Sequence, residues 1–199
     1  DPQIAAIYMA LVARGSYLSQ DRSDLQYSVN ELSRGMANPN VGNLKALKRL
    51  GRYLKARRRI VTLYKYQEEV KELTVWTDTD FAVCTRTRKS TSGGVLRHGE
   101  HTLKTWSSTQ SVIALSSGEA EYYGMVKGAG VTMGVKSIME DMGLKRGMKL
   151  KTDASAAKGI SCRRGLGKIR HLEVSQLWLQ DKVARGDMLV KKIEGKFNR

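Results

Sequence analysis

Residues 73–106, LTVWTDTDFAVCTRTRKSTSGGVLRHGEHTLKTW, are the stretch that decides the fold. β-branched and aromatic residues are concentrated in three short runs of this stretch, which predict strands over residues 73–77, 94–97 and 102–106. Residues 97–101, RHGEH, form the tight connection between the second run and the third. The stretch therefore predicts an antiparallel β-meander.

Further elements are predicted on the C-terminal side of the meander. Apolar residues at helical spacing predict a long helix over residues 117–142. A short strand follows at 149–152, then helices at 155–161 and 172–184, and a last strand at 188–193. The order β-β-β-α-β-α-α-β predicts an α/β fold, in which a mixed five-stranded sheet has helices packed on it.

The first third of the chain predicts helices instead. Dense apolar residues over 4–18 predict a first helix. Apolar residues at helical spacing over residues 25–36 predict a second, which Asn38-Pro39 ends. A third, strongly basic helix follows and runs into three arginines. Residues 60–66 predict one more strand because they are rich in β-branched and aromatic residues. We place the domain boundary near residue 69, which gives a helical segment 1–69 and a sheet domain 70–199.

The charge of the chain points to a polyanionic partner. The 199 residues carry 35 Lys and Arg against 19 Asp and Glu, a net charge of +16. Such an excess favours nucleic acid. The candidate phosphate contacts lie on the third helix, in the run after it and in the loop between the first two strands of the meander: Lys45, Lys48, Arg49, Arg52, Arg57, Arg58, Arg59, Arg86, Arg88 and Lys89. The alternative is that these side chains are simply a solvated surface.

Composition also limits the cellular setting. No apolar run approaches the roughly 20 residues of a membrane span, so we expect no membrane partner. Cys84 and Cys162 have no partners at metal-ligand spacing, which favours a reducing compartment and a cytoplasmic protein.

Acidic residues stand at positions where a sheet can bring them together. Asp78 and Asp153 follow the first and fourth predicted strands, and Glu119 and Glu121 lie near the start of the long helix. Clustered carboxylates can bind two Mg²⁺ ions about 3.5–4 Å apart for phosphodiester hydrolysis. The alternative is that these acids only form turns and cap helices. Helical spacing does not choose between Glu119 and Glu121.

Five sequence motifs resemble one known family. The strings TDTDFA (77–82), RKSTSGG (88–94), LSSGEAEY (115–122), TDASA (152–156) and RHLEV (170–174) occur in the order found in the RNase H region of copia-type LTR retrotransposon Pol polyproteins. Residues 17–25, residues 32–36 and the basic helix are similar to the segment that connects the polymerase to that region. The resemblance covers nearly the whole chain.

The resemblance implies a function and a set of site residues. It implies an RNase H-like sheet domain after a helical connection segment, and a nuclease that cuts the RNA strand of RNA–DNA hybrids during reverse transcription. Asp78, Glu121 and Asp153 match the catalytic, metal-binding acids, with two Mg²⁺ ions expected and Mn²⁺ as a substitute. The implied partners are the hybrid and the reverse transcriptase portion of the same polyprotein, in a virus-like particle if the element is active.

Three alternatives remain open at the level of sequence. The family's fourth carboxylate is expected past Arg199, so we expect impaired activity from this chain. The alternative is that Glu173 substitutes for that carboxylate. We assign no catalytic role to His171. A non-catalytic nucleic-acid-binding tether is the main functional alternative. Another nuclease or an integrase of the same fold is the second.

Overall fold

The computed structural model describes residues 2–167, residue 172 and residues 174–198. The chain forms two compact units, Asp1–Leu63 and Tyr64–Arg199. The predicted boundary near residue 69 lies within the stretch 57–71, in which the chain has no regular secondary structure.

Three helices form the first unit: α1 (Pro2–Leu18), α2 (Gln26–Ser33) and α3 (Val41–Ala56). Tyr8 and Val12 of α1 pack on Leu32 of α2, and the Tyr8 hydroxyl donates a 2.7 Å hydrogen bond to the Leu32 carbonyl. At the start of α3, the side chains of Asn40 and Asn43 each accept a hydrogen bond from the other residue's backbone N–H. This capping box satisfies two donors that the first turn otherwise leaves free.

The second unit contains a five-stranded mixed sheet. Its strands and helices are β1 (Glu72–Asp80), β2 (Thr91–His98), β3 (His101–Thr109), α4 (Ser117–Asp141), β4 (Gly147–Thr152), α5 (Ser155–Ser161), α6 (Trp178–Ala184) and β5 (Leu189–Lys192). The strand order is β3-β2-β1-β4-β5. β1 pairs antiparallel with β2, and β2 antiparallel with β3, whereas β4 is parallel to both β1 and β5.

The core lies between this sheet and the long helix α4. Alternate residues of β1 are buried, among them Leu73 and Val75, because successive side chains of a strand point to opposite faces. A Cβ on Gly128 of α4 would lie 2.5 Å from Thr77 Cγ2, so the absence of a side chain there lets helix and strand approach closely. This approach brings the first turns of α4 next to the end of β1.

The fold class predicted from the sequence is confirmed. The β-meander, the long helix and the last two strands occur in the predicted order, and the helical segment precedes them. In the described part of the chain, no helix combines the length and apolar character that a membrane span needs.

One predicted strand and one predicted helix are wrong. Residues 60–66 are not a strand, because β propensity forms a strand only where a neighbouring strand offers its backbone. Side chains anchor part of this stretch instead: the Tyr64 hydroxyl donates to the Thr102 carbonyl at 3.3 Å. The helix predicted over 172–184 consists of a 3₁₀ turn, Val174–Gln176, and the short helix α6.

Candidate active site

Three carboxylates from three different elements meet at one edge of the sheet. Asp78 lies near the end of β1, Glu121 in the second turn of α4, and Asp153 directly after β4. One carboxylate oxygen from each lies within 4.8 Å of the other two. In the described residues this is the one group of three or more acids, histidines or cysteines close enough to share a metal ion.

The end of β1 and the end of β4 separate where the two aspartates lie. The parallel β1–β4 pairing stops at Trp76 and Lys151, whereas β1 continues against β2 as far as Asp80. Asp78 therefore lies beyond the last pair with β4, and its Oδ1 accepts a 3.0 Å hydrogen bond from the Thr79 N–H. Asp153 starts the turn between β4 and α5. The two aspartates therefore lie at the carboxyl ends of two parallel strands, where α/β sheets commonly bind ligands.

The two glutamates of α4 have different surroundings. Glu119 is buried, and its carboxylate accepts hydrogen bonds from the Leu115 N–H and the Tyr123 hydroxyl, each at 2.9 Å. It thus ties the start of α4 to the preceding loop. Glu121 faces Asp78 and Asp153 instead. Helical spacing alone did not choose between them, because the choice depends on where the loop before α4 lies.

The electrostatics of the cluster disfavour three negative charges. Burial, followed by repulsion from Asp78 and Asp153, raises the pKa of Glu121 to about 8. The pKa of Asp78 is also raised, mainly by the burial of its carboxyl end and further by Asp153, against the opposing effect of the Thr79 N–H. None of the three forms a salt bridge among the described residues. Glu121 Oε2 is buried without a hydrogen-bond partner there.

These features fit a divalent cation. Mg²⁺ and Mn²⁺ bind carboxylate oxygens, and the buried Glu121 oxygen and the repulsion within the cluster are both relieved by a positive charge. Asp78, Glu121 and Asp153 are the residues that would hold it.

The predicted phosphate contacts fall in two places, one in each unit. In the first unit, four exposed side chains of α3 help to line an open groove of about 650 Å³: Lys45, Lys48, Arg49 and Arg52. Three more exposed arginines follow the helix: Arg57, Arg58 and Arg59. In the second unit Arg86 and Arg88 are exposed and Lys89 is half-buried. These three belong to a loop closed by the Arg88 N–H, which donates to the Cys84 carbonyl at 2.6 Å.

Sequence reasoning missed one residue that positions α4. Gln110 is buried, and its Nε2 donates 2.8 Å hydrogen bonds to Ser92 Oγ on β2 and to the Ala120 carbonyl. It therefore fixes the turn that carries Glu121 to the sheet. A single glutamine at the start of the loop between β3 and α4 gives no signal of this contact. His171 and Glu173, which the sequence analysis considered, lie outside the described residues.

Relatives of the chain are Pol polyproteins of plant transposons, although no family model matches it. The retrovirus-related Pol polyprotein from transposon RE1 of Arabidopsis thaliana is 30% identical over 138 residues, 69% of this chain and 9% of the polyprotein. That from transposon TNT 1-94 of Nicotiana tabacum is 25% identical over 179 residues, 89% of this chain and 13% of the polyprotein. The chain is homologous to part of these Pol polyproteins. That the chain comes from a copia-type element stays a prediction.

A solved structure of LC11-RNase H1, isolated from compost by a metagenomic approach, is similar to this chain at low sequence identity. It matches with a TM-score of 0.44 and 14% identity, over 65% of this chain and 89% of that one. The chain thus spans a small share of its polyprotein relatives and most of the length of this structure.

Proposed function

We propose that the chain is a divalent-metal-dependent endonuclease that hydrolyses the RNA strand of RNA–DNA hybrids during retrotransposon reverse transcription. The observation that carries the proposal is the convergence of Asp78, Glu121 and Asp153 within 4.8 Å, with no salt bridge from any described residue to balance their charge. Homology to Pol polyproteins supports the reverse-transcription setting and makes the reverse transcriptase portion of the same polyprotein the proposed partner.

The three carboxylates have distinct tasks in this proposal. Asp78 near the end of β1 and Asp153 directly after β4 hold two sides of the centre, and Glu121 closes it from the helix. Glu121 would give up its proton on binding of a cation, because the positive charge would offset the burial and the repulsion that raise the pKa of this carboxyl. A pair of bound Mg²⁺ ions supplies activation of the attacking water and stabilisation of the leaving oxygen.

The basic side chains serve affinity in this proposal rather than chemistry. The basic side chains proposed to contact the phosphates of a duplex are exposed on α3 and in the run Arg57, Arg58 and Arg59. In the loop that carries Arg86, Arg88 and Lys89 they are exposed or half-buried. Phosphate contacts position a nucleic acid but do not choose a sequence, so we propose little sequence preference.

Incubation of the purified chain with a hybrid labelled on its RNA strand tests the proposal. The reaction is run with Mg²⁺, with Mn²⁺ and with a chelator, beside a DNA duplex of the same sequence. We expect cleavage of the RNA strand that requires the metal and spares the DNA duplex. Tight hybrid binding without cleavage in either metal contradicts the proposal and favours the non-catalytic tether.

A further inference from the structure

The turn that follows β5 lies beside the ends of β1 and β4. It consists of the 3₁₀ turn Gly195–Phe197 and the residue after it, Asn198. The Asn198 N–H donates a 3.0 Å hydrogen bond to the Gly195 carbonyl. β5 leads into it directly, since the Ile193 N–H still donates to the Thr152 carbonyl of β4 at 2.9 Å. The turn is therefore held next to the end of β4.

Asn198 reaches from this turn to β1. Its Nδ2 donates a 3.1 Å hydrogen bond to the carbonyl of Thr77, the residue directly before Asp78. The β1–β4 pairing has already ended one residue earlier, at Trp76. The side-chain amide thus supplies a donor to β1 just beyond the point where β4 stops pairing with it. Asn198 Oδ1 is buried and has no hydrogen-bond partner among the described residues.

Gly195 brings the same turn against the other aspartate. A Cβ at this position would lie 3.3 Å from Asp153 Oδ2, which is tighter than an ordinary contact. The φ of Gly195 is not in the left-handed region. The position therefore requires a small residue for lack of space and not a special backbone conformation. Any larger residue would displace the turn or the Asp153 carboxylate.

We propose that this turn positions the metal centre, with Asn198 as the positioning residue that holds the end of β1 and Gly195 as the gap that admits the Asp153 carboxylate. The turn reaches both aspartates, because Asn198 donates to the Thr77 carbonyl next to Asp78 and Gly195 lies close to the Asp153 carboxylate. It thereby sets the separation of Asp78 and Asp153. The inference rests on the proposed function for the existence of the metal centre and adds the element that gives it its geometry.

The chemistry of the contact explains why the residue is an asparagine. An amide has N–H groups to donate to the Thr77 carbonyl, whereas an ionised aspartate accepts only. An aspartate at this position would face a carbonyl oxygen and add a fourth negative charge near the cluster. Asn198→Asp therefore separates a positioning role from a role as a metal ligand, because a ligand role would benefit from the added carboxylate.

Calorimetric titration of the full chain with Mn²⁺ tests the inference without any cleavage assay. The variants are Asn198→Ala, Asn198→Asp and Gly195→Ala, with Gly159→Ala as the control because a Cβ at that exposed glycine meets no atom within 4 Å. We expect each of the first three to weaken Mn²⁺ binding by roughly 10-fold, the lower end of the loss seen when partners of metal ligands are removed. The control should bind as the wild type does, and hybrid affinity should stay the same in all four.

Three results overturn the inference. Unchanged Mn²⁺ affinity in Asn198→Ala and Gly195→Ala means that the turn has no influence on the centre. Tighter Mn²⁺ binding by Asn198→Asp means that residue 198 acts as a ligand instead. A wild-type chain that binds no Mn²⁺ overturns both this inference and the metal centre, whereas one that binds Mn²⁺ with the expected variant pattern but cleaves no hybrid overturns the proposed function alone.

Discussion

Each unit of the chain contains a group of charged side chains, and the two groups are balanced differently. In the helical unit, Arg22 donates hydrogen bonds of 2.9 and 2.7 Å to the two oxygens of Asp24 and also bonds to the carbonyls of Arg57 and Arg58. In the sheet unit, Asp78, Glu121 and Asp153 face one another, and none of the three forms a salt bridge with another described residue. The first group contains its own counter-charge, whereas no described side chain supplies one to the second.

The pKa values of Asp24 and Glu121 are shifted in opposite directions. The hydrogen bond from Arg22 lowers the pKa of Asp24 to about 2, with a smaller contribution from Tyr53. Burial and the neighbouring aspartates raise the pKa of Glu121 to about 8. A lowered pKa marks a carboxylate that the fold stabilises in its charged form, and a raised pKa marks one that the fold destabilises. Of the two groups, the one in the sheet unit is therefore the candidate cation site.

Removing the charge of Glu121 should have the largest effect on activity. We expect Glu121→Gln to lower metal-dependent hybrid cleavage by more than about 100-fold, the upper end of the loss caused when only a partner of a metal ligand is removed. Glu119→Gln is the matched variant, because Glu119 bonds to Leu115 and Tyr123 rather than facing the cluster. It should lower the free energy of unfolding and leave the cleavage rate of the folded protein close to wild type. The reverse result would move the site to the other face of α4.

Removing the charge of Asp24 should affect stability instead. Asp24→Asn leaves the Arg22 guanidinium, whose side chain is 7% exposed, without its charged partner. We expect a loss of about 1.5 kcal/mol for unfolding of the helical unit, the low end for a hydrogen bond to a charged group because Asp24 itself meets solvent. Hydrogen exchange of the α1–α3 amides measures it, with the exposed Asp21→Asn as control. An equal loss in both variants would show that the pair contributes nothing specific.

The same contrast predicts opposite pH dependences. In the metal-free chain, the protonated form of Glu121 contributes stability that is fully present below its ordinary pKa of 4.5 and is lost as the pH rises through about 8. The contribution of Asp24 is present above its ordinary pKa of 3.8 and is lost as the pH falls through about 2. The Glu121 window predicts that the stability of the sheet unit against denaturant falls as the pH rises from 4.5 to 8. Glu121→Gln should remove this fall.

Metal binding gives a second measure of the Glu121 proton. Below about pH 8, Mn²⁺ binding should release close to one proton, because Glu121 must ionise to serve as a ligand. Calorimetry in two buffers of different ionisation enthalpy counts the protons released. Binding without proton release at pH 7 would show that Glu121 does not take part.

The smallest effect is expected from the basic run after α3. Replacing Arg57, Arg58 and Arg59 with alanine should flatten the log–log salt dependence of hybrid binding by up to about 0.9 for each lost contact with a duplex phosphate. The cleavage rate of the bound complex should not change, because these residues belong to the other unit. A salt slope equal to that of the wild type would assign the run to a solvated surface.

Local patterns predicted most of the fold and two of the three acids. The runs around Val75, Val95 and Leu103 predicted β1, β2 and β3, and acids at strand ends indicated Asp78 and Asp153. The choice between the α4 glutamates came from a resemblance, since residues two apart in a helix cannot be ranked without the position of the loop before them. Contacts between distant residues had no local signal: the bond from Asn198 to Thr77 spans 121 residues.

The measurement that tests the metal centre most directly is hybrid cleavage by Asp153→Asn beside the wild type. The Asp153 carboxylate belongs to the cluster and also lies close to Gly195. Asp141→Asn, an exposed acid at the end of α4, is the matched control. We expect Asp153→Asn to lose metal-dependent cleavage by more than about 100-fold with hybrid affinity within a few-fold of wild type, since the basic surfaces are intact. Cleavage by Asp153→Asn at the wild-type rate would contradict the assignment of the site.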